Sequence, residues 1–460
     1  MTSRYSNDPQ TERSLRHSVR DGLAWSVMFG VGESYLQAFA VFLKASTAQV
    51  SLMIALPSFL GSLSQLFAAW LAGRTGQQRK PLILGGVLLQ ALMWIPIAAL
   101  AFVLSEHSVS LLIVAIALFY VGGQFASPPW NSLIGDLVPE RRRGRFFGWR
   151  TRLMSMTSFI AMSLAGIVLQ LFEQRALAYI GFAVLFAVAM VARLYSLIQL
   201  SLMHEPSRAL IPLALPPLKG LFRRLIRSDF SRFVLFVAFM NLSVAIASPF
   251  FTLYMLRDLH FSYLELTAVN AVYMLIQFRA LNMWGRLSDI FGNRLILHIT
   301  SIAFPVLPLL WLVFPNFWWV LAIQILSGIC WAGFSLASGN FLYDVATPEK
   351  RVSYSAIHQT LSNTAIFCGA LIGGFLGTHT SAELSLGGYS VSFISSLWIV
   401  MVASAVARIA VGVVFLPTLR EVRNVRRTSA TALALRVVRV TVMAQRFAAL
   451  WGGNRSRPRR

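Results

Sequence analysis

Glu33 is the side chain best placed to do chemistry in this sequence. It falls near the middle of an apolar run, 22–43, and shares one helical face with Ser26, Gly30 and Gln37, at steps of four, three and four. A carboxylate held in so apolar a segment is costly to ionise unless it is paired or hydrated. Such a group suits proton uptake and release, or service as counter-charge to a cation. A permanent interhelical pair is the structural alternative. Arg279 lies in a later apolar run with Asn282 and Arg286 on the same face. It can meet an anion, pair with Glu33, or extend its charge to a water interface. Gln124, Asn131, Asn241, Gln324, Trp331 and Asn340 are further polar or aromatic groups within apolar runs. Singly each serves as interhelical glue; together they suit a moderately polar cavity, with Trp331 offering a stacking or cation–π face. Arg193 and Arg408 also lie inside apolar runs, and snorkelling or structural pairing is their expected role.

The elements that carry these residues follow from composition. The 460-residue chain is 57% hydrophobic and 12% charged, which points to a bilayer as solvent. Twelve apolar runs are each long enough to cross it: 22–43, 48–72, 81–104, 108–133, 147–171, 177–203, 231–256, 263–285, 294–316, 318–342, 356–377 and 391–416. The net charge of +23 is unevenly placed, since 34 of the 40 Lys and Arg fall in segments that alternate spans would leave on one side. That side is expected to be cytoplasmic and to hold both termini, in the inner (plasma) membrane. The basic charge then faces anionic lipid headgroups, and nucleic-acid binding is not expected. Cys330 and Cys368 each lie within a span and suggest neither a disulfide nor a metal site.

The chain also repeats itself. Asn131 to Arg143, with Asp136, Pro139 and Glu140, is echoed by Asn340 to Arg351, with Asp344, Pro348 and Glu349. Val191-Ala192-Arg193 is echoed by Val406-Ala407-Arg408, and the turn Gly73–Lys80 by Gly285–Arg294. Offsets of 209 to 216 residues divide the molecule into a tail 1–21, a six-helix bundle 22–203, a linker 204–230, a second bundle 231–416 and a basic tail 417–460. The fold class is therefore all-α membrane protein, with twelve transmembrane helices in two pseudo-symmetric bundles. The linker and the final tail each read as amphipathic, basic segments lying on headgroups.

At Gly285-Arg286-Leu287-Ser288-Asp289, followed by Gly292-Asn293-Arg294, the chain resembles the major facilitator superfamily and its glycine- and arginine-rich cytoplasmic loop. The first-half copy has Gly73 where the acid belongs. The resemblance implies a central cavity lined mainly by spans one, four, seven and ten, and alternating access by rocking of the halves. It also implies that Asp289 closes a cytoplasmic gate against the start of span five, at Arg145, Arg150 or Arg152. Gly285, Gly292, Arg294, Asp136 and Asp344 belong to the same gate region, and the half lacking an acid at Gly73 should lock more weakly.

The sequence carries no phosphate loop, His-Glu-x-x-His or Gly-x-Ser-x-Gly. The expectation is a monomeric secondary transporter of a small organic solute, with no enzymatic activity or cofactor, coupled to protons through Glu33. An uncoupled facilitator, a lipid flippase and a non-transporting membrane sensor or assembly partner remain as alternatives.

Overall fold

A computed structural model describes residues 8–74, 79–103, 105–139, 142–206, 228–345, 351–380, 383–386, 389–392 and 395–421. The greater part of the linker 204–230 and of the tail 417–460 lies outside the described residues. What is described builds twelve spans in two six-helix bundles. Span one is the helix Pro9–Val31, a 3-10 turn Glu33–Tyr35 and the helix Leu36–Phe42. Spans two to six are Thr47–Arg74, Arg79–Leu92 with Trp94–Ala99, Ser108–Leu137, Arg143–Glu173 and Ala178–Ser201. Span seven runs Asp229–Ala245 and resumes at Phe250–Leu253; spans eight to twelve are Tyr263–Phe291, Asn293–Ala303 with Val306–Leu310, Phe317–Val345, Arg351–His379 and Leu397–Phe415. A two-stranded antiparallel hairpin, Glu383–Leu386 paired with Tyr389–Ser392, joins the last two spans. Among the described residues, ten helices are long and apolar enough to cross a membrane. The two spans left out, one and eight, hold Asp21 and Glu33, and Arg279, Arg286 and Asp289, so charge rather than length sets them apart.

Span one begins earlier than its apolar run suggests. Asp8 caps the helix by accepting from the backbone N–H of Thr11 at 2.9 Å and of Gln10 at 3.3 Å, and Pro9 fits the first turn. Those hydrogen bonds, led by the one from the Thr11 hydroxyl, hold the exposed Asp8 carboxyl below its ordinary range. Leu15 and Val19 then recur at helical spacing and are buried, which carries the helix through residues expected to form a tail.

The halves share their breaks as well as their spans. Span one breaks at Gly32 and span seven at 246–249; span three breaks at Met93 and span nine at Phe304 and Pro305. They share caps too. The backbone N–H of Arg79, opening span three, donates to Glu205 at 2.7 Å, and that of Arg294, near the start of span nine, donates to Glu421 at 2.9 Å. Acid at a helix N-terminus satisfies an orphan donor and faces the favourable end of the dipole.

Three apolar clusters describe how the bundles meet. One takes residues from both halves, from Met28 and Phe182 to Phe250, Tyr263 and Leu397, and sits away from the basic loops. There Tyr35 of span one meets Thr267 of span eight at 2.7 Å, and Ser51 of span two donates to the Ala370 carbonyl of span eleven at 2.6 Å. The other two clusters lie at the basic end and each belongs to one half: Leu15, Ile83, Leu133 and Phe146 in the first, Phe230, Trp284, Ile296 and Phe341 in the second. The bundles thus share a core at one end and keep separate cores at the other.

Candidate functional site

Within the first bundle, spans one, three, four, five and six enclose a cavity of about 340 Å³. Two acids and two arginines line it: Asp21, Glu33, Arg150 and Arg193. Three of the four are deeply buried, with Asp21 5%, Arg193 6% and Arg150 8% exposed. Charge at such depth persists only where partners are supplied.

The sequence builds the arrangement locally. Gly32 lies against Trp94 and Ala189, where a Cβ would meet the Trp94 ring at 2.5 Å, so the chain can turn there. Glu33 opens the 3-10 turn that follows. Its Oε1 accepts from the Tyr120 hydroxyl of span four at 2.8 Å. One helix earlier, Asp21 Oδ1 accepts from Ser196 at 2.6 Å, and Ser196 in turn accepts from Arg193 at 2.9 Å, both on span six. The other oxygen of Asp21 faces the Arg150 guanidinium at 3.5 Å. Arg150 lies 4.8 Å over the Trp130 ring and donates to the Ser18 carbonyl at 3.3 Å. Room for its head comes from Gly22, whose missing Cβ would stand 2.7 Å from Arg150 Nη2.

Asp21 is therefore nearly saturated. Arg193 is not: its Nε reaches no acceptor among the described residues, and its charge interacts with both Asp21 and Glu33. It shares the cavity wall with two carboxylates of span one, Asp21 and Glu33, twelve residues apart. Gln90, Gln124, Ser127 and Asn131 supply neutral polar groups to the remaining wall, and Gln65 bonds to Gln124 from behind.

Of the residues singled out from sequence, the structure brings Glu33, Gln124, Asn131 and Arg150 together at this cavity. Gln37 lies beyond the break, half-buried, and is not among the lining. Arg279 is exposed on span eight, and Asn241, Gln324 and Asn340 are half-buried in spans seven and ten. Trp331 packs on Phe304 at 4.9 Å between ring centroids, within the core of the second half.

The gate residues group by half. Asp136 accepts from buried Arg79 at 2.7 Å, with Glu205 at 3.4 Å from the same guanidinium. Asp344 accepts from Asn293 at 2.7 Å, and Asn293 in turn accepts from Ser288 at 2.5 Å. Arg294 belongs to this second group through its backbone bond to Glu421. Gly292 has φ 85°, a left-handed turn that joins spans eight and nine and suits glycine; Gly285 lies within span eight. Asp289 and Arg145 are exposed, and Arg150 turns inward to Asp21 rather than outward to span eight.

Sequence reading passed over Asp21, Tyr120 and the role of Arg193. Asp21 falls just outside the apolar run. The signal for Arg193 was present: an arginine mid-way along a span that also carries Ser196 one turn on and Gln199 nearly two turns on.

A repeated six-span bundle, a shared core at one end and a buried charged cavity make up a transporter architecture. A model of the Major Facilitator Superfamily matches residues 22–242 and 233–458. The chain belongs to the major facilitator superfamily. An "MFS-type transporter" of Aspergillus terreus (strain NIH 2624 / FGSC A1156) is 29% identical over 125 residues, 27% of this chain and 23% of that protein, so the match spans under a quarter of that relative. Among solved structures, a bacterial homologue of the human lysosomal transporter Spinster, inward-facing and unoccupied, aligns with TM-score 0.65 and 16% identity over 90% of this chain and 98% of that one. A variant of the nucleoside transporter NupG gives TM-score 0.67 and 13% identity over 89% and 100%. A D-xylose–proton symporter gives 0.65 and 15% over 90% and 98%. At these identities the shared property is the fold. As a superfamily member with many apolar helices, the chain is a multi-pass membrane transporter.

Proposed function

We propose that this transporter is secondary active: it moves a small organic solute by alternating access, with Glu33 as the proton-coupling carboxylate. The observation that carries this reading is the geometry of Glu33. It sits at a break in span one, bonded to Tyr120, in a cavity whose wall also holds the Arg193 guanidinium and the Asp21 carboxylate. Adding a proton to Glu33 leaves Arg193 to Asp21, and removing it restores the competition. A proton thereby changes the forces between spans one and six, which a coupled transporter requires.

Both termini are cytoplasmic in this reading, as the distribution of Lys and Arg favours. The shared core then closes the outer side, and the separately cored end faces inward. Asp289 is the gate acid, meeting the start of span five when that end closes. The second bundle, with Asn241, Gln324, Trp331 and Asn340, presents the opposite cavity wall. The partners are a solute, protons and anionic headgroups, and the protein acts as a monomer with no enzymatic step.

The test is reconstitution into liposomes with a trapped pH indicator, a solute panel and an imposed pH gradient. Wild-type protein is expected to move protons with one solute class, and Glu33→Gln to stop that movement while still binding the solute. Solute uptake that ignores the gradient in both proteins would establish a facilitator instead.

A further inference from the structure

We infer that the solute is a small organic monoanion, carried together with one proton. This rests on Glu33 being the coupling group, and it follows from charge bookkeeping in the cavity.

Four side chains set the balance: Asp21 and Glu33 against Arg150 and Arg193, formally zero when all are ionised. Within the four, Asp21 is closed off by Arg150 and Ser196. Arg193 and Glu33 are left open to an occupant. Arg193 spends one bond on Ser196 and has a buried Nε without an acceptor among the described residues. Glu33 takes its bond from Tyr120. The charged and titratable groups that line the same cavity as Glu33 are Asp21 on its own span, Tyr120 from span four, Arg150 from span five and Arg193 from span six; span three presents Gln90.

Consider what each occupant does to this balance. A monoanion entering alone leaves a buried net charge of one and repels Glu33. A proton entering alone leaves Arg193 with an unmatched charge. A neutral solute with a proton leaves the same excess. A neutral solute or a zwitterion alone leaves the sum at zero but moves no proton; of the occupants that bring a proton, only the monoanion keeps it there, with the proton on a Glu33 oxygen and the anion on the Arg193 guanidinium. A planar carboxylate suits that guanidinium because it can accept two parallel N–H bonds. Burial makes the rule strict, because an uncompensated charge here is far costlier than in water.

The purified full-length chain in detergent is titrated with acetate, lactate and benzoate, with their amides, and with alanine as a zwitterion. Tryptophan fluorescence reads binding, since Trp25 and Trp130 line the cavity. Calorimetry in buffers of different ionisation enthalpy counts protons. At least one acid is expected to bind with one proton taken up, and its amide to bind roughly tenfold more weakly or worse, the scale of one charge-assisted bond. Arg193→Gln should level acid and amide, while Glu33→Gln should bind the acid without proton uptake. If Arg193→Gln does not fold, the acid–amide comparison on the wild type decides alone.

Amides binding as well as acids, or no acid binding at all, would overturn the anion assignment. If a neutral or cationic solute instead drives Glu33-dependent proton movement, the coupling role survives and the anion assignment fails. An acid bound without proton uptake by the wild type removes the coupling role and, with it, the paired entry. Alanine bound with no proton change would overturn both.

Discussion

Arg193 and Arg408 hold equivalent places in spans six and twelve, 215 residues apart, and their guanidinium groups are put to different uses. Arg193 turns to Ser196 and, through it, to Asp21. Arg408 donates to the carbonyl of Phe304 at 2.9 Å, at the break in span nine. The reason is four residues further on. Pro308 has no N–H, so the Phe304 carbonyl lacks its usual helical donor, and Arg408 supplies one. The same arginine stands in each bundle; among the described residues, only the first copy shares a cavity with carboxylates.

Arg193→Met should therefore be much more damaging than Arg408→Met. The first takes the guanidinium away from Glu33 and from Ser196 at Asp21, on the order of 3–5 kcal/mol, and the second strands one carbonyl, about 1–3 kcal/mol. Adding Pro308→Ala to Arg408→Met returns an N–H to span nine and should recover part of the loss. Thermal unfolding in detergent of Arg193→Met, Arg408→Met, Pro308→Ala and the Arg408→Met/Pro308→Ala double variant checks this, with additive effects in the double variant as the result that contradicts it.

Close approach in span one gives a second expectation. A Cβ at Gly30 would lie 2.7 Å from the Ser158 carbonyl and 2.8 Å from Ala161 of span five, whereas at Gly85 it would meet nothing within 4 Å. Gly30→Ala should destabilise by about 1–3 kcal/mol through overpacking against backbone that cannot yield. Gly85→Ala should be neutral or slightly stabilising, because alanine favours helix. Similar melting temperatures for the two would contradict the packing described.

Tyr120→Phe removes one bond to Glu33 without altering ring packing. The expected loss is about 1.5–3 kcal/mol, the value of a hydrogen bond to a charged group. In the Glu33→Gln background the same change should be worth less, because the charge is gone. A double-mutant cycle on thermal stability measures the difference, and equal losses in the two backgrounds would separate the tyrosine from the carboxylate.

Asp8 offers a pH-dependent cap outside the membrane. Its carboxyl is held below the ordinary value, chiefly by Thr11, so the cap stabilises fully above the unfolded-state range near 3.8 and is lost as pH falls through the lower folded value. Fraying of residues 9–12 should begin only in that acid window. In Asp8→Ala fraying should be present at neutral pH. Amide exchange of the first helical turn distinguishes the two.

Motion between states has a direct probe as well. With Cys330 and Cys368 replaced by serine, cysteines at positions 289 and 145 should cross-link only when the basic end closes, and the cross-link should arrest transport. A cross-link that forms without affecting transport would remove Asp289 and the start of span five from the gate.

Much of this fold was legible before any coordinates. Twelve apolar runs mark the twelve spans, and echoes such as Arg193 with Arg408 mark the duplication, because a bilayer forces long uniform segments and a repeat preserves their spacing. The breaks at Met93 and Phe304 were less visible, since Pro96 and Pro308 sit in runs that stay apolar throughout. The cavity was legible only in part. Glu33 stands out as a carboxylate in an apolar run, but Asp21 lies among polar residues and looks like solvent-facing tail until the cap at Asp8 shows the helix passing through it. Pairing of Asp21 with Arg150 and Ser196 joins positions 129 and 175 residues apart, and no local pattern encodes such a meeting.

The distribution of apolar clusters also bears on how the molecule is made. The first bundle is translated before span seven, and its own cluster around Leu15, Ile83 and Phe146 needs nothing from the second half. Met28, Phe182 and their neighbours must instead wait for Phe250, Tyr263 and Leu397. A newborn first bundle is thus finished at one pole and adhesive at the other, so the two halves supplied as separate polypeptides should still find each other by that pole.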